Sequence, residues 1–214
     1  MDMNWEGLLK LVGNEAVFSS ALLLAGEVSA AQVRLQLSRW VKAGRLLQLR
    51  RGLYALAPVW QKAEPPHPFL IANALQRGSY VSLQSALAFH GVIPEHVPVV
   101  TSVGPRRPET VRNKMGTFQF NHLAGGLLFG YRRIEVAPRQ FAFVAGPEKA
   151  LLDLVHLTAG ADSPAFLREL RLQNPETVSN QVLLELAKRS GKPKLVRAAR
   201  IILRLQAEIE IEAL

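Results

Sequence analysis

Ser82, Ser85 and His90 lie close together in "SYVSLQSALAFHG", directly after the pair Gly78-Ser79. A serine beside an imidazole is the beginning of a hydrolytic nucleophile. A Gly-Ser pair opens the site of nucleotidyltransferases, where closely spaced carboxylates then hold divalent metal. Neither chemistry is completed. A hydrolase needs a sharp turn exposing its serine and an acid orienting its histidine, and from residue 65 to residue 108 the only acid is Glu95. The whole chain holds three aspartates, Asp2, Asp153 and Asp162. The five histidines, His67, His90, His96, His122 and His156, are dispersed, with no pair at helical metal-ligand spacing. The lack of cysteine removes thiolate nucleophiles and cysteine-held zinc or iron–sulfur centres, and no glycine loop of the phosphate-cradling type is present. These residues predict no enzyme, no cofactor and no metal. Ser82 reads as a helix N-cap and His90 as a helix-end residue bonding a terminal carbonyl.

The stronger chemical signal is charge. Lys and Arg number 26 against 17 Asp and Glu, a formal charge of +9 with a pI near 10.4, which favours polyanions or an acidic protein as partners. Residues 29–56, "SAAQVRLQLSRWVKAGRLLQLRRGLYAL", carry six basic residues and no acid. A second basic stretch, "SVGPRRPETVRNKMG" at 102–116, carries Arg106, Arg107, Arg112 and Lys114 against Glu109 alone. It reads as an exposed loop between strands, able to serve as a second phosphate contact or a dock for an acidic partner.

These residues need elements to position them. A short helix is predicted over 4–12, with Trp5, Leu8, Leu9, Leu11 and Val12 on its apolar side, and a second over 17–24 ending at Gly26. A third starts at Ser29, which forms a capping box with Gln32 and is stapled by Val28. Val33, Leu37, Trp40 and Val41 make its buried stripe and Gly44 ends it. Gln32, Arg34, Gln36, Ser38, Arg39 and Lys42 lie on the outer side, a set of donors without a carboxylate. Strands 46–49 and 53–56 then form a hairpin tipped by Arg50-Arg51-Gly52, with Gly52 supplying the positive φ of the turn. Three helices and a two-stranded wing are the order of a winged helix-turn-helix, in which one helix reads base edges in the major groove and the basic wing lies on phosphate. The site residues are therefore Gln32, Arg34, Gln36, Ser38, Arg39 and Lys42 in the groove, with Arg50 and Arg51 on the backbone.

Four prolines in the twelve residues 57–68 predict a rigid linker. Beyond it the pattern is α+β. Helices are predicted over 69–76 and 83–90, and strands at 80–81, 97–103, 116–123, 131–137 and 140–146. A closing helix opens at "GPEKALLDLVHL", where Pro147 and Glu148 suit a first turn. Glu148 and Lys149 read as anchors of that helix to the sheet or, alternatively, as a partner contact. The tail ends in an amphipathic helix with Lys192, Lys194, Arg197, Arg200 and Arg204 on its basic face.

Three motifs, "GRLLQLRRGLYAL", "YVSLQSALAFHGV" and "VAGPEKALLDLV", stand in an order that resembles the AbiEi family of bacterial type IV antitoxins across about residues 5–157. The resemblance implies an N-terminal winged helix-turn-helix that binds inverted repeats in double-stranded DNA and represses its own operon. It also implies a second domain that counters a cognate nucleotidyltransferase-like toxin, directly or functionally, the toxin being the enzyme. The alternative is a winged-helix transcription factor with a partner- or ligand-sensing second domain and no toxin.

The expected architecture is α+β. A winged helix-turn-helix occupies 1–58, a Pro-rich linker 59–68, an antitoxin-like domain with a small, mostly antiparallel sheet 69–160, and a helical extension 161–214. Asp2 and Glu6 stand where a secretory leader would be basic and apolar, and no apolar run reaches the roughly 18–20 residues of a membrane span. A cytoplasmic protein without membrane contact, binding DNA as a cooperative monomer or as a dimer, is expected.

Overall fold

The computed structural model describes residues 4–24, 29–61, 64–95 and 97–212, with the side chains of 209–212 left aside. Asn4 opens α1 (Trp5–Val12) by accepting the Gly7 N–H at 2.8 Å, and the helix stops at Gly13. The helix expected over 17–24 is not formed. Phe18–Ser19 is a short strand, β1, and Ser20–Leu24 a 3-10 turn. The reason is non-local: Phe18 pairs with Tyr54 and stacks on its ring at 6.0 Å, while the Ser20 N–H bonds the Gly52 carbonyl.

Next come α2 (Ala30–Lys42) and the hairpin of β2 (Leu46–Arg50) and β3 (Leu53–Leu56), turned by Gly52 at φ +81°. Ser29 occupies the N-cap of α2, but its hydroxyl makes no capping bond, so the predicted capping box is absent. The staple residue Val28 and the stop residue Gly26 lie outside the described residues. The three strands form an antiparallel sheet in the order β1-β3-β2. Leu8, Phe18, Val33, Leu37, Trp40 and Leu46 fill the core beneath it, each large side chain contributing about 1.5–3 kcal/mol by leaving water.

The Pro-rich segment is fastened rather than free. Trp60 packs edge-on against Trp5 at 5.2 Å, and the Gln61 amide bonds the Leu56 carbonyl. Farther on, the Gln140 side chain donates to the Pro65 carbonyl at 3.0 Å and accepts from the His67 N–H at 2.7 Å.

The remainder is built on a six-stranded mixed sheet in the order β6-β7-β5-β4-β9-β8, larger and less regular than expected. Its strands are β4 (Tyr80–Val81), β5 (Val99–Gly104), β6 (Glu109–Asn113), β7 (Gly116–His122), β8 (Tyr131–Ala137) and β9 (Gln140–Ala145). β4 with β9 and β5 with β7 are parallel, and the other neighbours antiparallel. The stretch read as a basic loop thus contains an edge strand, β6. The predicted helices are present as α3 (Pro68–Leu75), α4 (Leu83–Phe89) and α5 (Pro147–Leu157).

α5 is buried along eight consecutive residues, Glu148 to Val155, because helices close round it. α6 (Pro164–Glu169), α7 (Asn180–Arg189) and α8 (Pro193–Glu212) follow it. Leu183, Ala187, Leu195 and Ile202 from the last two join the core of the sheet, so the residues after 160 share that core. Leu49 and Ala55 of the hairpin enter it as well. No helix among the described residues is long and apolar enough to cross a membrane.

Candidate nucleic-acid interface

The stripe Val33, Leu37 and Trp40 turns one side of α2 inward. Gln32, Arg34, Ser38, Arg39 and Lys42 are left exposed and Gln36 half-buried on the other side. Arg34 Nε donates to the Ala30 carbonyl at 3.0 Å, which lays its guanidinium along the helix. Among the described residues no carboxylate forms an ion pair with Arg34, Arg39 or Lys42. Such a surface attracts a dense anion without first breaking internal pairs.

The two arginines of the hairpin tip differ in their contacts. Arg51 is exposed, but Arg50 is turned away from the site assigned to it on phosphate. Its Nη1 donates to the Leu75 carbonyl at 2.7 Å, and its two terminal nitrogens face the Glu109 carboxylate at 3.4 and 3.3 Å. A register shift between Gln48 and Arg50 re-aims the side chain. Gln76, itself buried, adds a bond to Glu109 at 3.2 Å, and the Asn113 amide donates to the Leu49 carbonyl at 3.1 Å. β6 is thereby laid beside the hairpin.

This places the second basic set. Arg106 and Arg107 lie in the turn after β5, Arg112 on β6 and Lys114 in the turn before β7, all exposed. The junction residues Glu109, Gln76 and Asn113 escaped the sequence reading. The usable signal was Glu109 itself, the lone acid in an otherwise basic run.

The other candidate residues make contacts within the fold. Ser82 stands at the start of α4 but gives its hydroxyl to Asp153 Oδ2 at 2.8 Å instead of capping. Tyr80 donates to the same oxygen at 3.0 Å, and Lys149 pairs with Asp153 Oδ1. Burial pushes the Asp153 carboxyl up, against the pull of the Lys149 ammonium and the two hydroxyls. Burial and the neighbouring Asp153 push the Tyr80 hydroxyl up. The adjoining cavity is about 10 Å³, room for one water at most, so this group is a clamp between sheet and helix. Glu148 accepts the Ser179 N–H at 2.8 Å, tying α5 to the start of α7.

Ser85 donates to the Val99 carbonyl, and His90 Nε2 lies 2.8 Å from the Ala145 carbonyl on β9 rather than from a helix-terminal one. No serine–histidine pair forms from these residues. Ser79 bonds the Gln76 carbonyl within a turn at Gly78. Among the described residues no three His, Asp or Glu side chains gather as a metal site, and His96 lies outside them. On α8, Arg197 pairs with Asp162 at 2.7 Å and Lys194 donates to the Thr158 carbonyl, so part of the basic face packs locally.

No protein-family model matches the chain, and no curated protein matches it. The chain is similar in structure to the RV2827C protein from Mycobacterium tuberculosis, at a TM-score of 0.50 and 16% identity over 94% of this chain and 78% of that one. At this identity the likeness concerns the fold alone.

Proposed function

We propose that this chain is a DNA-binding transcriptional autorepressor whose first unit is a winged helix-turn-helix. One observation carries the reading: the outer side of α2 presents Gln32, Arg34, Arg39 and Lys42, with Gln36 half-buried at its margin and no carboxylate, beside a hairpin tipped by Arg51. The order helix, strand, helical turn, helix and hairpin supports it, as does the β1-β3-β2 sheet. α2 then enters the major groove, with Gln36 and Arg39 reading base edges. Arg51 lies on phosphate. Arg106, Arg107, Arg112 and Lys114 extend the basic track along the duplex, because β6 is held next to the hairpin. The second half of the proposal, that the protein is the antitoxin of a type IV system countering a nucleotidyltransferase-like toxin, is supported by the three ordered motifs that resemble the AbiEi family.

The test is a binding titration on DNA from just upstream of the gene and on scrambled DNA, at two salt concentrations. Preferential, salt-sensitive binding is expected, and equal or absent binding would rule the regulator out. For the antitoxin half, co-expression with an adjacent nucleotidyltransferase-like gene should restore growth that the toxin alone arrests.

A further inference from the structure

β8 ends the large sheet, with β9 as its only strand neighbour among the described residues, so one row of its backbone N–H and C=O groups is open there. Proteins blunt such edges with charged side chains, proline, bulges or a covering element. β8 carries Arg132 and Arg133 before an apolar centre, Ile134, and Glu135 after it. Register with β9 sets Arg133 opposite Phe143 and Glu135 opposite Phe141, on one face of the sheet. That face is open to solvent, with Phe141 37%, Phe143 44% and Tyr131 39% exposed. The Arg133 guanidinium lies 3.8 Å over the Phe141 ring and pairs with no carboxylate among the described residues. Among the described residues Glu135 accepts the Arg139 backbone N–H through Oε1, and no partner stands at Oε2.

We propose that β8 pairs with β8 of a second copy of this chain, antiparallel about a twofold axis through Ile134. In that register each Arg133 faces Glu135 of the other copy, and the two ion pairs are generated by the symmetry itself. Each row across the joined sheet then reads Phe143, Arg133, Glu135, Phe141. Centring the axis on Arg133 sets like charges against each other, so charge selects the register. A foreign strand must present an acid and a base at this spacing in the reverse sense. The chain's own β8 does so by construction. The bulge between Glu135 and Ala137 ends the pairing beyond Val136. Two α2 helices on one dimer then meet two half-sites.

The experiment is sedimentation equilibrium of the full chain, without DNA, over a wide concentration range. A monomer–dimer equilibrium is expected. Arg133→Glu or Glu135→Arg alone should weaken the dimer at least about tenfold, since each sets like charges opposite in both rows. The double reversal, Arg133→Glu with Glu135→Arg, should restore the dimer to within about threefold of the parent. Hydrogen exchange of the parent should show alternate amides of 132–136, those on the open edge, gaining protection as concentration rises, a readout that survives if a variant folds poorly. A parent that stays monomeric, or single reversals that dimerise like the parent, would overturn the proposal. Neither result bears on DNA binding, which is measured separately.

Discussion

Arg50 at the hairpin tip and Glu109 at the start of β6 face each other across the junction of the two units, with Nη2 and Oε2 3.3 Å apart. Both side chains are about a third exposed, at 38% and 34%, so the pair contributes at most about 1 kcal/mol. Glu109→Gln should change stability by less than about 1 kcal/mol in urea unfolding. If the freed Arg50 reaches phosphate, the same change should steepen the salt dependence of DNA binding by about one counterion. An unchanged slope in an anisotropy titration would mean that the Leu75 carbonyl alone keeps Arg50 turned inward.

If α2 reads base edges as proposed, removing one of its donors should act at one position of the bound DNA. Arg39→Ala and Gln36→Ala are each expected to lose about 1–3 kcal/mol of discrimination at a single base pair. Arg51→Ala should weaken binding to every sequence alike and flatten the salt slope by about one. Competition against a set of single-base operator variants separates the two behaviours. Uniform loss in all three would mean that α2 contacts backbone only.

The clamp under α5 predicts strong non-additivity. Asp153→Ala leaves the Lys149 ammonium buried without its partner, and Lys149→Met leaves the carboxylate, so each should cost about 3–5 kcal/mol. Joining Lys149→Met with Asp153→Leu removes both charges and should cost clearly less than the two singles summed. Tyr80→Phe deletes one of two hydroxyl donors and should cost about 1–2 kcal/mol. Equilibrium urea unfolding of the set measures the coupling, and strict additivity would contradict the contacts described.

His67 makes stability depend on pH in a defined direction. Its Nδ1 accepts the Phe69 N–H at 3.1 Å as the N-cap of α3, and burial holds its pKa below the ordinary 6.5. Protonation of Nδ1 abolishes the acceptor and adds a positive charge at the positive end of a helix. A His with a lowered folded pKa binds more protons when unfolded. The stability it lends is therefore complete above about pH 6.5 and declines as pH falls from there towards the folded value. Burial and the neighbouring Lys192 and Lys194 lower His156 too, with the same sign. The urea midpoint should thus drop below neutrality, and His67→Asn, which caps without titrating, should reduce the drop.

What could be read in advance follows from the range of the forces. α2 and the hairpin are local: the stripe Val33, Leu37 and Trp40, the stop at Gly44 and the turn at Gly52 announce themselves within a few residues. Residues 17–24 were misread because an apolar run that short suits helix or strand equally, and the choice was made by Tyr54. β6 was missed because "ETVRN" has one apolar residue, Val111, and becomes a strand only through pairing with β7. In the candidate site the exposed face of α2 lay where the pattern put it. Arg50 did not, since its aim depends on a bulge and on an acid 59 residues away. Lys149 and Asp153 sit one helical turn apart, and the sequence cannot show that α7 and α8 close over them.

The grip of Gln140 on Pro65 and His67, with the Arg50 and Asn113 bonds across the junction, ties the first unit to the large sheet. If α2 sits in a groove as proposed, the azimuth of the whole molecule round the duplex is set by these ties. Two copies on neighbouring half-sites then lie on one side of the DNA or on opposite sides according to helical phase alone. Inserting about five base pairs, half a turn, between the half-sites should swing the second copy to the far face, out of reach of the first.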